Sequence, residues 1–171
     1  MIITLRPARR TDLMTVGALH HRSRVAAYSG FLAADDLARP TPRALGRYWE
    51  QRWLYERADH RLTVVEHGGR VIGFSYVGPD EPEEDPKGGL LNAIHLDPRW
   101  LGRGVGRQLM IDALATLVDL GYARARLWVL RDNAVARRFY ERGGWSCDGV
   151  ERTDMIGTAA TPQLRYSREL V

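Results

Sequence analysis

The sequence predicts an α/β fold in which a mixed sheet carries helices on both faces. Three observations lead there. Segments with strand-like composition alternate with segments of four-residue apolar spacing through the middle of the chain. Hairpin signals stand at both flanks, where strands follow one another directly. Alternation of the two periodicities favours helices layered on a sheet over an all-helical or all-strand core.

Taken in order, residues 2–6 read as a short strand, and Thr11-Asp12 as a cap for a helix that keeps Leu13, Val16 and Leu19 at helical spacing. A second helical region over residues 34–57 is interrupted by Pro40 and Pro42 and places Leu45, Trp49 and Trp53 four residues apart. Residues 62–67 and 70–77 flank Gly68-Gly69, a strong hairpin signal. The acidic, proline-broken stretch 78–86 cannot continue a sheet and is expected as a solvated loop. Residues 90–96 resume as a strand that stops at Asp97-Pro98. A glycine-rich turn then leads to a helix with Leu109, Met110, Ala113, Leu114 and Leu117 on one face. Residues 124–130 form a strand, residues 133–142 a short helix closed by Gly143-Gly144, and residues 145–150 and 164–170 the last two strands.

Composition removes several function classes. At 171 residues the chain is long enough for a layered core without disulfides or metals. No apolar run is long enough to span a bilayer, and the N-terminus lacks the pattern of a signal peptide. The lone Cys147 has no intramolecular partner, and a cytoplasmic location fits. The net charge of +4 comes almost wholly from scattered arginines, with Lys87 the sole lysine. No basic stripe marks a nucleic-acid partner, and an anionic cofactor is the better use of this charge.

Leu101-Gly102-Arg103-Gly104-Val105-Gly106 joins a strand to a helix. Glycines let the backbone turn tightly and approach a ligand, while the first helical amides are unbonded and sit at the positive end of the dipole. Such a turn can cradle a pyrophosphate, with Arg103 and Arg107 adding charge at its rim. A phosphate loop of the Gly-Lys-Ser/Thr type is excluded, because no lysine lies here. A dinucleotide fold, which wants G-x-G-x-x-G and a later acid, is weakened by the G-x-G-x-G spacing without being removed. A tight packing turn is the remaining alternative. The second motif, Asn133 to Trp145, sets Asn133 and Tyr140 seven residues apart, so they share a helix face and stand roughly 10 Å apart along its axis. A capping Asn and a packing Tyr would also suit this spacing.

Together these residues resemble the GNAT (Gcn5-related N-acetyltransferase) superfamily. The likeness is carried by Asp97-Pro98, the Gly102 to Gly106 turn with Leu109, and then Asn133, Ala136, Phe139-Tyr140-Glu141 and Gly144-Trp145. Arg6-Pro7-Ala8 with Asp12, and the closing Leu164-Arg165-Tyr166, are similar too, so it spans essentially the whole chain. It implies one domain over residues 1–171, built on a splayed mixed sheet of about six to seven strands with the cofactor in the cleft. The implied co-substrate is acetyl-CoA and the implied activity is direct acetyl transfer to an amine of a small molecule or peptide. The backbone near Leu96 would hold the pantetheine arm, the amides of Leu101, Gly102, Arg103, Gly104, Val105 and Gly106 the pyrophosphate, and Asn133 would touch the arm. Tyr140 would protonate the departing thiolate, since a phenol of pKa ~10 keeps its proton at neutral pH.

Two positions depart from the pattern. Leu101 stands where Gln or Arg usually opens the turn, and Leu90 stands where many members carry a Glu base. His95, the acidic stretch 80–85 or water are the replacements available, and no single side chain is expected to be essential as base. A weak base slightly favours amines of low pKa: at pH 7 an α-amine of ~7.8 is neutral about one part in seven, a lysine-like amine of ~10.4 about one in 2,500. Tyr28 and Phe31 are candidate lining residues at the acceptor end, whereas His20-His21 reads as surface. The expected partners are acetyl-CoA and an amine, with no nucleic acid or membrane and with a homodimer left open. The rival from another class is an acyl-CoA-binding sensor or interaction module that no longer turns over.

Overall fold

A computed structural model of the chain describes residues 1–82 and 85–170. Seven strands form one sheet in the order β1-β2-β3-β4-β5-β7-β6. They are β1 (Thr4–Pro7), β2 (Arg61–His67), β3 (Arg70–Pro79), β4 (Gly89–Leu96), β5 (Arg124–Leu130), β6 (Ser146–Ile156) and β7 (Ala159–Glu169). The helices are α1 (Leu13–Tyr28), α2 (Ala34–Leu37), α3 (Pro42–Tyr55), α4 (Val105–Asp119) and α5 (Ala134–Arg142). Every neighbouring pair is antiparallel except β4 and β5, which run parallel. This order is not that of a doubly wound dinucleotide fold, so that alternative falls.

The parallel pair is the feature that positions the site. β4 and β5 are matched only at Gly89↔Ala125 and Leu90↔Arg126. Beyond Leu90 the two strands diverge, although each stays paired to its other neighbour, β3 or β7, along its length. The split begins beside a bulge: Tyr76 pairs with Ala93 but Val77 with Leu91, so Asn92 is the extra residue on β4. A bulge turns a strand locally and increases its twist, which helps β4 swing away from β5.

Each face of the sheet is covered by a helix layer whose apolar residues recur at helical spacing. On one side Val105, Leu109, Met110, Ala113 and Leu117 of α4 are buried, against Leu127 and Val129 of β5, Leu164 and Tyr166 of β7, and Val65 and Ile72 of β2 and β3. On the other side Leu13, Val16 and Leu19 of α1 and Trp49 of α3 pack on Leu62, Val64, Phe74 and Tyr76. α1 and α3 approach so closely that a Cβ on Gly17 would run into the Gly46 backbone nitrogen and Cα. Two glycines at this crossing therefore set the distance between the helices.

Several local expectations change. α1 starts at Leu13, after a 3₁₀ turn at Arg10–Asp12, and Asp12 does not cap it. Its carboxylate accepts instead from Arg6 Nη1 (2.7 Å) and the Arg9 amide (2.7 Å), tying the turn to β1. β6 and β7 each run to 11 residues, longer at the hairpin end than predicted. The stretch 78–86 is not simply solvated, because Asp80 and Asp85 are buried and paired with Arg126 (3.4 Å) and Arg124 (2.7 Å). Glu83 and Glu84 lie outside the described residues. No helix among the described residues is long and apolar enough to cross a membrane.

Candidate active site

The glycine turn leaves β4 through a short 3₁₀ turn at Pro98–Trp100. Asp97, buried, holds that turn: its carboxylate accepts from the Arg99 amide (3.0 Å) and guanidinium, and from Arg22 Nη2 (3.3 Å). These contacts hold its carboxyl well below the usual range. Gly102 (φ 72°) and Gly104 (φ 80°) then adopt left-handed backbone, where a Cβ is strained, and Gly104 is the residue from which α4 starts. Alternating backbone of this kind turns successive amides toward one concavity. Gly106 serves a different need, since a Cβ there would stand 3.3 Å from Leu96 Cδ1 and 3.6 Å from the Phe139 ring. Val105 is buried beneath the turn, whereas Leu101, Arg103 and Arg107 are exposed at its rim. Arg103 lies over the Trp100 ring, 5.2 Å from its centroid.

Between β4 and β5 the split leaves backbone N–H and C=O groups of residues 91–96 and 127–130 without partners across the gap. Buried backbone groups demand partners, so such a gap suits a ligand carrying amides of its own. Leu96 is the last residue of β4 and lies next to Gly106. Asn133 caps α5, its Oδ1 accepting from the Ala136 amide (3.2 Å), and its side-chain N–H groups have no protein partner among the described residues. Tyr140 stands two turns on, among Phe139, Trp145 and Tyr166, with ring centroids 5.6, 6.4 and 6.3 Å away. Its hydroxyl makes no hydrogen bond to the described protein. Burial, helped by the nearby Tyr28, pushes its pKa well above the usual phenol value. The spacing thus admits both uses, a cap and packed ring on one hand and free donors on the other.

The chain from the end of α1 to α3, the roof expected over the acceptor end, carries both candidate lining residues. Tyr28 ends α1 and packs on Phe31, 5.6 Å between centroids. Further along, Asp36 Oδ1 accepts from the Thr158 amide (2.8 Å) and hydroxyl (2.9 Å), latching the roof to the β6–β7 hairpin. Leu90, buried, is the last β4 residue matched to β5, with Arg126 opposite it. A polar group that the sequence did not reveal borders the bulge: Arg52 is paired with Glu56, which accepts from the Tyr76 hydroxyl (3.0 Å), and Arg52 Nη2 reaches Asn92 Oδ1 (3.5 Å). Only the four-residue spacing of Arg52 and Glu56 was visible beforehand.

His95 turns onto α1. Its Nδ1 lies 2.9 Å from Ser23 Oγ, and its ring packs on His20 (4.4 Å) and Phe74 (5.3 Å). His20 is therefore not a surface residue; its Nδ1 accepts from Trp49 Nε1 (3.0 Å). Burial, then Arg24 and His21, lower the His20 pKa to about 4, and burial, then His20 and Arg24, hold His95 well below 6.5. The sign follows directly. Well above pH 6.5 both are neutral in either state; as pH falls through 6.5 the unfolded chain takes protons that the folded chain refuses, and stability falls toward pH 4. Each histidine contributes at most about 1.4 kcal/mol per pH unit. Urea unfolding at pH 7, 6, 5 and 4 checks this, and the slope should flatten in a His20→Gln, His95→Gln double variant.

A cavity of about 750 Å³ lies on the α1 side of the glycine turn, bounded by Arg6, Arg22, Asp97, Trp100 and Arg103. It contains neither Tyr140 nor Leu90, so it is not the gap described above. Among the described residues no cluster of side chains could hold a metal ion.

Comparison with known proteins fits this geometry. The profile of the Acetyltransferase (GNAT) family matches residues 30–145, which include the split strand, the glycine turn and α5. The chain belongs to the GNAT acetyltransferase family. An uncharacterized N-acetyltransferase of Mycobacterium tuberculosis is 32% identical over 112 residues, 64% of this chain and 67% of its own. A mycothiol acetyltransferase of Rhodococcus erythropolis is 36% identical over 76 residues, 44% of this chain and 25% of that one. In fold, this GNAT chain is similar to the PaiA N-acetyltransferase of Thermoplasma acidophilum in complex with coenzyme A. There the TM-score is 0.78 at 18% identity, with 99% of each chain covered. It is also similar to the yncA acetyltransferase of Salmonella typhimurium with its cofactor acetyl-CoA, with TM-score 0.75, 15% identity and 100% and 95% covered.

Proposed function

We propose that this GNAT chain transfers the acetyl group of acetyl-CoA to an amine directly, in a ternary complex and as a single domain over residues 1–171. The observation that carries the proposal is the gap between β4 and β5, with the glycine turn beyond the end of β4 and, on α5, a Tyr140 hydroxyl that makes no hydrogen bond to the described protein. The amides of Gly102 to Gly106 would receive the pyrophosphate, with Leu101, whose amide donates to the Pro98 carbonyl (3.4 Å), at the edge of the cradle and Arg103 and Arg107 helping at the rim. The open edge of β4 near Leu96 and the side chain of Asn133 would bond the two amides of the pantetheine arm. Both coenzyme structures above adopt this fold, which supports acetyl-CoA as the co-substrate.

The amine would enter beneath the roof, past Tyr28 and Phe31, and attack the thioester carbonyl. As the C–N bond forms and the C–S bond breaks, Tyr140 would give its proton to the departing sulfur. Its raised pKa does not oppose this, because burial that disfavours a phenolate disfavours a thiolate in the same place. The amine must lose a proton too. Leu90 cannot take it, and His95 faces α1, so water would carry it to bulk solvent, from which the Tyr140 phenolate would regain its own proton.

Thiol release from acetyl-CoA across a panel of amines tests the proposal. Tight acetyl-CoA binding without release on any amine would instead favour the sensor. Gly104→Val gives an independent check on the turn. Forcing a branched side chain to φ 80° costs roughly 1–2 kcal/mol and displaces the amides. Calorimetry should show at least about tenfold weaker acetyl-CoA binding.

A further inference from the structure

His20, Arg24 and Tyr28 stand four residues apart and form one stripe along α1. Over these eight residues the helix advances about 12 Å. At one end the stripe touches β4, where His20 packs on His95. At the other end Tyr28 is close enough to Tyr140, on α5, to influence its proton affinity. α1 therefore runs from β4 toward α5, and Arg24 stands midway along the stripe.

Arg24 is only 9% exposed, yet among the described residues its guanidinium has one partner, the Arg39 carbonyl oxygen (3.0 Å). Among the described residues no carboxylate pairs with it. Other arginines around the site are neutralised: Arg52 by Glu56, Arg126 by Asp80. Leu90, where the gap begins, carries no charge. A desolvated cation without a counter-ion is costly, and a guanidinium offers a planar fork matched to a carboxylate. The Arg39 carbonyl uses one N–H and leaves the rest for a ligand beneath the roof. The turn that would take pyrophosphate is not a competitor, because it meets α1 through Arg22, on another side of the helix.

Resting on the acetyl-transfer reading above, we infer that the acceptor is an amine that also bears an acidic group, bound through that group by Arg24 beside Tyr28. An amino acid is the simplest member of this class. Its carboxylate would dock on the guanidinium while its amine points down at the thioester.

The test uses matched pairs, each L-amino acid against its own amide and its decarboxylated amine, with thiol release as readout and acetyl-CoA binding measured separately. The amide has the more readily deprotonated amine, so a preference for the acid cannot come from basicity. For the best acceptor the expected kcat/KM ratio of acid over amide is at least about tenfold. In Arg24→Gln that ratio should fall to about one, and in Arg24→Lys it should lie between. A merely structural arginine would lower both members of a pair alike and leave the ratio standing. Equal or better use of the amide by the unmodified protein overturns the inference, as does an unchanged ratio in Arg24→Gln. So does bound acetyl-CoA with release only on amines lacking an acid. Failure to bind acetyl-CoA at all overturns the acetyl-transfer reading itself.

Discussion

Tyr140→Phe should lower kcat by about 10²–10³-fold while leaving the affinity for acetyl-CoA within about threefold of the original. The asymmetry follows from the surroundings of the side chain. Its ring packs among Phe139, Trp145 and Tyr166, and phenylalanine keeps those contacts. Its hydroxyl has no hydrogen bond to the described protein, so deletion orphans no partner and should cost little stability. On the proposed mechanism what disappears is the proton donor to the leaving sulfur, which affects only that step. Single-turnover kinetics with bound acetyl-CoA would isolate that step. A loss below about tenfold would mean that water protonates the thiolate, and Tyr140 would then be a packing residue.

Gly17→Val should be the most damaging single change to the fold. An added side chain at Gly17 meets the Gly46 nitrogen and Cα and the Leu45 carbonyl carbon, all backbone atoms that cannot rotate away. Overpacking costs typically 1–3 kcal/mol, and here relief requires moving α1 or α3 bodily, so about 3 kcal/mol or more is expected. For a chain of this size that lowers Tm by roughly 6–12 °C. The reciprocal change is gentler, because a Cβ on Gly46 first meets Met14 Sδ (2.6 Å) and Cε (2.8 Å), the end of a flexible chain. Gly46→Ala should cost about 1 kcal/mol, and Gly30→Ala, with nothing within 4 Å of its added carbon, close to nothing. Differential scanning calorimetry of the three variants checks the ranking. A Gly17→Val protein as stable as the parent would contradict the close helix crossing.

The same contrast explains which parts of the molecule were legible in the sequence. The glycine turn and α5 carry chemistry that depends on backbone conformation and short spacing, so Gly102, Gly104, Asn133 and Tyr140 could be singled out from local pattern. The split of β4 from β5 could not, because it depends on a bulge at Asn92, in a stretch, Leu-Leu-Asn-Ala-Ile-His, with no glycine to announce it. Asp80 and Asp85 read as solvated because their partners, Arg126 and Arg124, lie on a strand remote in sequence. His20 read as surface because its neighbours, Trp49 and His95, come from α3 and β4. The C-terminal hairpin read short because β6 is exposed almost throughout and Glu151-Arg152-Thr153-Asp154 are polar, and its pairing is fixed instead by β7 and by the Asp36 latch on Thr158. Arg24 sits between these cases. Its spacing from His20 and Tyr28 is visible in the sequence, but its lack of a counter-ion appears only in the fold.

Where acetyl-CoA lies is decisive, and a crystal structure of the complex measures it directly. The predicted result places the pyrophosphate on the amides of residues 102–106, the pantetheine arm between β4 and β5, and the coenzyme sulfur about 3.5 Å from the Tyr140 hydroxyl. A coenzyme lodged elsewhere, for instance in the cavity bounded by Arg6, Arg22 and Trp100, with the gap between the strands empty, would contradict it.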